Sequence, residues 1–249
     1  MTLIVWLTLG APHALAAEPR FSDVASLMDA VEARPEPKSM DATLSMEIGT
    51  AAGQSLSRTL ALLSLGDTHR VIKFQAPADI KGSGFLSIEN ADGSDETMIY
   101  LPALGRVRRI AGGQKGDSFF GSDFSYEDIT GIDPDDYTHT LLEVREGPVY
   151  VVEATPTAGS GSTYQRLVLE VPEDTLLPQR IEYYRDGVVA KVLTVSDVQQ
   201  QGDYLVAGRR LMETMVNGAV ETFTVITQTD VTLDADIPTE VFTERFLRQ

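Results

Sequence analysis

The chain has 249 residues, no cysteine, 43% apolar and 23% charged residues, and a formal charge of −17 from 20 Lys+Arg against 37 Asp+Glu. A chain of this length buries roughly 70% of its unfolded surface, enough for a substantial core without staples. The missing thiols exclude disulfides, thiolate metal centres, cysteine nucleophiles and a lipid-modified N-terminal cysteine, and the acidic balance argues against general binding to nucleic acid or anionic bilayers.

Residues 3–9, Leu-Ile-Val-Trp-Leu-Thr-Leu, form a short apolar run, and the small-x-small triplet Ala14-Leu15-Ala16 follows. The run is too short to span a bilayer. The pattern predicts a secretion signal over 1–16, cleaved before Ala17, although no Lys or Arg precedes the run. A buried N-terminal strand is the alternative. No later segment reaches 18 apolar residues, which predicts a mature chain, 17–249, soluble outside the cytoplasm.

One helix follows. Val24, Leu27, Met28 and Val31 repeat at i, i+3, i+4, i+7, with Ser22 as N-cap and Pro35 and Pro37 as stops. The period then changes to two. Leu44, Met46 and Ile48 alternate with polar neighbours, as do Leu167, Leu169 and Val171 with Arg166, Val168 and Glu170. This is the alternation of antiparallel strands with one covered face. Asp186-Gly187 and Asn217-Gly218 each sit between strand-like runs and suit type I′ hairpin turns. Further strands are predicted at 58–65, 69–75, 84–89, 97–101, 107–111, 140–145, 149–154 and 204–208, and short helices at 123–130 and 238–246, the latter with Pro238 in its first turn. Gly159-Ser160-Gly161-Ser162 reads as a hairpin tip, not a linker. The expectation is one mainly β domain over 17–249: a strongly curved antiparallel sheet with a few helices on its concave face. Such a sheet either encloses a ligand cavity or is filled by its own side chains.

The stretch 98–131 stands out. Arg106, Arg108, Arg109 and Lys115 cluster there in an acidic chain, with Arg106 and Arg108 on one strand face and Val107 and Arg109 on the other. Two readings are open: a site for an anionic headgroup or acidic partner, or ion pairs with Asp117, Asp123, Glu127 and Asp128 that pin a long loop. Phe119, Phe120, Phe124 and Tyr126, set among glycines, form either a mobile lid over an apolar site or a plug in the core.

The run "YLPALGRVRRIAGGQKGDSFFGSDFSYEDI" and the segment "KFQAPADIKGSGFL" at 73–86 resemble the outer-membrane lipoprotein-sorting protein family, the LolA-like periplasmic group. The resemblance implies an unclosed antiparallel β-barrel of about 10–11 strands with helices as a lid, and a hydrophobic cavity for the acyl chains of a lipoprotein, lipid or terpenoid. It also implies a periplasmic carrier without cofactor or metal and, through its partners, an RND-type inner-membrane exporter. Arg106 or Arg109 is the expected counterpart of the family's functional arginine. A second reading is an accessory module that docks on such an exporter without carrying cargo.

Enzymatic chemistry finds little support. Outside the signal the histidines are His69 and His139, without HExxH or HxH spacing, and GxSxG, GxxxxGK[ST] and GxGxxG motifs are absent. Glu127-Asp128 and Asp135-Asp136 are adjacent pairs, which point to opposite faces in a strand. Asp133, Asp135 and Asp136 lack the remainder of a calcium loop.

Overall fold

A computed structural model describes residues 19–90 and 94–249; the predicted secretion signal lies outside the described residues. Helix α1 (Val24–Glu32) buries Leu27, Met28 and Val31, three of the four residues that the spacing picked out; Val24 is half-buried. Its N-cap is Asp23, whose Oδ1 accepts from Ser26 N at 2.9 Å, one residue beyond the expected Ser22.

The strands are β1 (Ser39–Thr50), β2 (Ser55–Leu65), β3 (His69–Ala76), β4 (Gly84–Ile88), β5 (Glu96–Leu101), β6 (Arg106–Arg109), β7 (Tyr137–Arg145), β8 (Val149–Pro156), β9 (Arg166–Pro172), β10 (Arg180–Arg185), β11 (Val188–Gln201), β12 (Tyr204–Val216) and β13 (Ala219–Leu233). All thirteen form one antiparallel sheet in the order β6-β5-β4-β3-β2-β1-β13-β12-β11-β10-β9-β8-β7. The edges β6 and β7 do not pair, so the barrel is unclosed. Thirteen strands exceed the expected ten or eleven; among them, 204–208 and the run from 211 prove to be one continuous strand, β12. Both dipeptide turns are where turn chemistry put them: Asp186 and Asn217 adopt φ of 50° and 52° ahead of Gly187 and Gly218, the positive-φ pairs that a type I′ turn requires.

The two faces of the sheet carry separate cores. Ile72, Phe85 and Ile99 stand opposite one another on the concave face, within a large cluster that includes α1. Their alternates Val71, Leu86 and Met98 point to the convex face, where Phe242 and Leu247 cover them. Phe242 follows a short 3-10 turn (Thr239–Val241), and Leu247 ends helix α3 (Glu244–Leu247). Helix α3 is thus on the convex side, not the concave one. Pro238 precedes the turn in extended conformation instead of opening a helix. No helix among the described residues is long and apolar enough to cross a membrane.

Candidate functional site

The segment between β6 and β7 folds back into the trough of the sheet. Phe119 (0% exposed), Phe124 (3%) and Tyr126 (7%) are buried in the concave cluster, and Phe120 packs partly buried against it. Phe120 stands 4.6 Å from Phe74 between ring centroids, and Phe119 stands 5.4 Å from Phe85, edge on. Of the two readings of these aromatics, the structure shows the plug. The apolar trough, which the resemblance implies as a hydrophobic cavity, is occupied by the chain's own rings. The physical reason is plain: three such side chains gain roughly 1.5–3 kcal/mol each on burial, and the concave face of β3–β5 offers them an apolar bed.

This plug is not part of the sheet, and polar anchors fasten it. Asp123 is buried. Its Oδ1 accepts from Thr214 Oγ1 at 2.6 Å and from Thr222 Oγ1, its Oδ2 accepts from Thr224 Oγ1 at 2.6 Å, and its own N–H donates to Thr224 Oγ1 at 2.9 Å. Arg58 Nη1 donates to the Phe120 carbonyl at 2.5 Å. Helix α2 (Tyr126–Thr130), shorter than the expected 123–130, is capped by Ser125, whose Oγ accepts from Asp128 N at 3.1 Å. Asp128 in turn takes Tyr164 OH at 2.7 Å and pairs with Lys191 Nζ at 2.9 Å, its side chain only 1% exposed. Burial pushes the Tyr164 and Tyr183 phenols well above their ordinary range, so Tyr164 remains a donor at any physiological pH. Glu127 accepts from Ser162 Oγ at 2.5 Å and Thr163 Oγ1 at 2.6 Å. At the far end of α2, Arg70 Nη1 donates to the carbonyls of Ile129 (2.5 Å) and Thr130 (2.9 Å), capping orphan carbonyls with a cation.

The basic residues chosen from sequence are not these anchors. Arg106 and Arg108 are exposed on the edge strand β6, opposite Leu101 and Ile99 and hence on the concave-side face. Arg109 faces the other way and pairs with Glu96 at 3.1 Å. Lys115 is half-buried on the plug segment. None of the four forms a salt bridge with Asp117, Asp123, Glu127 or Asp128 among the described residues, which corrects the loop-pinning alternative: Asp123, Glu127 and Asp128 are held by Thr, Ser, Tyr and Lys191 instead. Burial raises the Tyr126 phenol, and the charge of Arg108 opposes that push in part.

Two interior arginines escaped the sequence reading. Arg70 lies on the concave face with Ile72 and Phe74, and Arg210 stands opposite Val195 and Ile226 of the same face. Arg210 has no carboxylate partner among the described residues; its Nη1 donates to the Ala207 carbonyl at 3.3 Å. Burial first, and repulsion from Arg70 second, push its guanidinium down to about 10. The histidines do not converge on a site. His69 packs edge-on against Phe242 at 5.5 Å, and burial lowers the His139 imidazole. Among the described residues no three His, Asp or Glu side chains are grouped to hold a metal ion.

The unclosed antiparallel sheet of thirteen strands has solved counterparts. A LolA superfamily protein from Nitrosomonas europaea superposes with a TM-score of 0.73 over 91% of this chain and all of that one, at 20% identity, which shows the shared fold. A domain from Vibrio parahaemolyticus named for outer membrane lipoprotein sorting is 28% identical, with a TM-score of 0.82 over 90% of this chain and 97% of that one. A DUF1329 family protein from Desulfovibrio piger is also 28% identical, with a TM-score of 0.79 over 90% and 95% of the two chains. A family model described as "Uncharacterized protein" matches residues 66–249, and the chain belongs to that family. No protein of curated function matches the chain. The resemblance to lipoprotein-sorting proteins that residues 98–131 suggested therefore holds for the fold and for most of the chain.

Proposed function

We propose that this protein carries acyl chains, as those of a lipoprotein or free lipid, in the trough of the half-barrel, outside the cytoplasm and after export by residues 1–16. The observation that carries the reading is the filling of the trough. The apolar concave face is covered by a separate aromatic segment held at its ends by hydrogen bonds, not by sheet pairing. The likeness to a domain named for lipoprotein sorting supports the same reading.

The energies are matched for exchange. Burial of a 16-carbon chain is worth on the order of 12 kcal/mol gross, at about 0.8 kcal/mol per CH₂. The buried rings of Phe119, Phe124 and Tyr126 contribute roughly 5–9 kcal/mol on the same scale, and the polar anchors add to that. An acyl chain can therefore displace the plug, and the returning plug offsets most of the cost of releasing the chain. A trough left open would expose both sheet and segment to water whenever empty. Carriage needs no bond chemistry, so the protein acts as a binder and not as an enzyme.

Titration with a fluorescent fatty acid, followed by native mass spectrometry of the purified protein, tests this. Saturable one-to-one binding with bound acyl ligands is expected; bare protein and no binding would refute it.

A further inference from the structure

Among the described residues two buried side-chain polar atoms lack a hydrogen-bond partner, Thr50 Oγ1 and Arg185 Nε. Both belong to the wall of a single cleft of about 570 Å³. Native interiors leave few such atoms unpaired, and each one requires an explanation. The cleft opens at the rim where the β1–β2, β10–β11 and β12–β13 turns gather, and the plug residues Gly116 to Asp123 form its inner wall. Its lining mixes apolar Ile48 and Leu56 with the Thr50 hydroxyl, the Asp123 carboxylate that the threonines hold, and the cations Arg185 and Lys191.

The two cations differ. Lys191 is neutralised by Asp128 at 2.9 Å. Arg185 has no carboxylate partner among the described residues. Its Nη2 donates to Thr163 Oγ1 at 2.7 Å, its guanidinium lies 4.5 Å from the Tyr164 ring centroid, and Nε is idle. The plug runs beside it: a Cβ added at Gly116 would lie 3.2 Å from Arg185 Nη2. The same segment carries Phe119 and Phe120 on its other side, in the apolar trough.

We infer that this cleft is the headgroup subsite for an amphiphile with a terminal oxyanion, a carboxylate or phosphate, whose tail enters the trough as the plug moves. Arg185 Nε and Thr50 Oγ1 supply the donors. An oxyanion is the acceptor that suits an arginine without a countercharge; the Ser118 and Thr222 hydroxyls already donate to the Ser122 carbonyl and to Asp123 and stay out of its shell. The inference rests on the carrier reading above, and the test separates the two.

Dodecanoate, dodecyl phosphate and dodecanol share one tail and differ in headgroup. Each is used at pH 8 to displace a fluorescent apolar probe from the wild type, Arg185→Gln and Thr50→Val. The wild type is expected to bind both anions at least about tenfold more tightly than the alcohol, the span of one charged hydrogen bond. Arg185→Gln should abolish that preference while dodecanol binding stays within twofold, and Thr50→Val should narrow it about threefold. Equal affinity of the three ligands for the wild type overturns the subsite and leaves the carrier intact, whatever the stability of the variants. Displacement by none of them overturns both.

Discussion

Asp123→Asn probes the fastening of the plug most sharply. The carboxylate accepts from three threonine hydroxyls on β12 and β13, and the amide that replaces it keeps the shape but loses the charge and turns one accepting oxygen into a donor. A hydrogen bond to a charged group is worth about 1 kcal/mol more than a neutral one, so three such bonds lose roughly 3 kcal/mol at most. Relief of desolvation for a group 7% exposed offsets part of this, leaving roughly 1.5–3 kcal/mol, or about 10- to 100-fold in the opening equilibrium. The effect is local, because the threonines stay paired within the sheet. Hydrogen exchange should therefore accelerate by that factor at the amides of Phe119 and Ser122, whose bonds to Phe124 and Phe119 carbonyls close the loop. The β8–β9 amides should keep their protection, and fatty-acid on-rates should rise with the opening. Unchanged exchange at residues 118–124, with unchanged on-rates, would refute the idea that Asp123 holds the plug in the trough.

Other outcomes follow from the same anchors. Lys191→Met leaves the Asp128 carboxylate buried without its cation, a loss of about 3–5 kcal/mol that should lower the Tm by roughly 6–15 °C in calorimetry; a fall of under 2 °C would contradict the buried pair. Arg210→Met removes an interior charge with no countercharge and should raise the Tm by a few degrees, for about 1–2 kcal/mol. Charge reversal at Arg106 and Arg108, exposed on the edge strand, should leave the Tm within about 1 °C; a large fall would show that they hold the loop after all. Glu89 titrates above its ordinary 4.5, through burial first and the charges of Asp95 and Asp67 next. Its ionisation therefore costs stability above the folded-state value, and the cost vanishes below 4.5 where both states are protonated. Glu89→Gln should accordingly raise the Tm at pH 7 and not at pH 4; a gain equal at both would exclude the titration as its cause.

Local patterns were legible and distant pairings were not. The period of α1, the alternation in β1 and β9 and the Asp186-Gly187 and Asn217-Gly218 turns are interactions within a few residues, and each is read from spacing alone. The importance of residues 98–131 was also legible, because four aromatics among glycines have no place in an ordinary strand. What the aromatics meet was not. Asp123 finds its threonines 91 to 101 positions later, and Asp128 finds Lys191 after 63. Arg70 sits in an ordinary alternating strand, and its role comes from carbonyls 59 and 60 residues away. The charge cluster at 106–109 drew attention by being basic in an acidic chain, yet at an unpaired sheet edge such charges sit in solvent. That is a common device against edge-to-edge pairing. The cations that organise the plug, Arg58, Arg70 and Lys191, are scattered singly through three strands.

The central claim is that an acyl chain takes the place of the aromatic plug on the concave face. A fatty acid with a photoreactive diazirine near its tail end, irradiated in complex with the protein and mapped by peptide mass spectrometry, reads this directly. Labels on β1 and on β3–β5, at concave residues such as Met46, Phe74 and Phe85, are the result the account requires. Labels confined to exposed rim residues such as Leu104 and Val188, or to the convex cluster around Phe242, would contradict it.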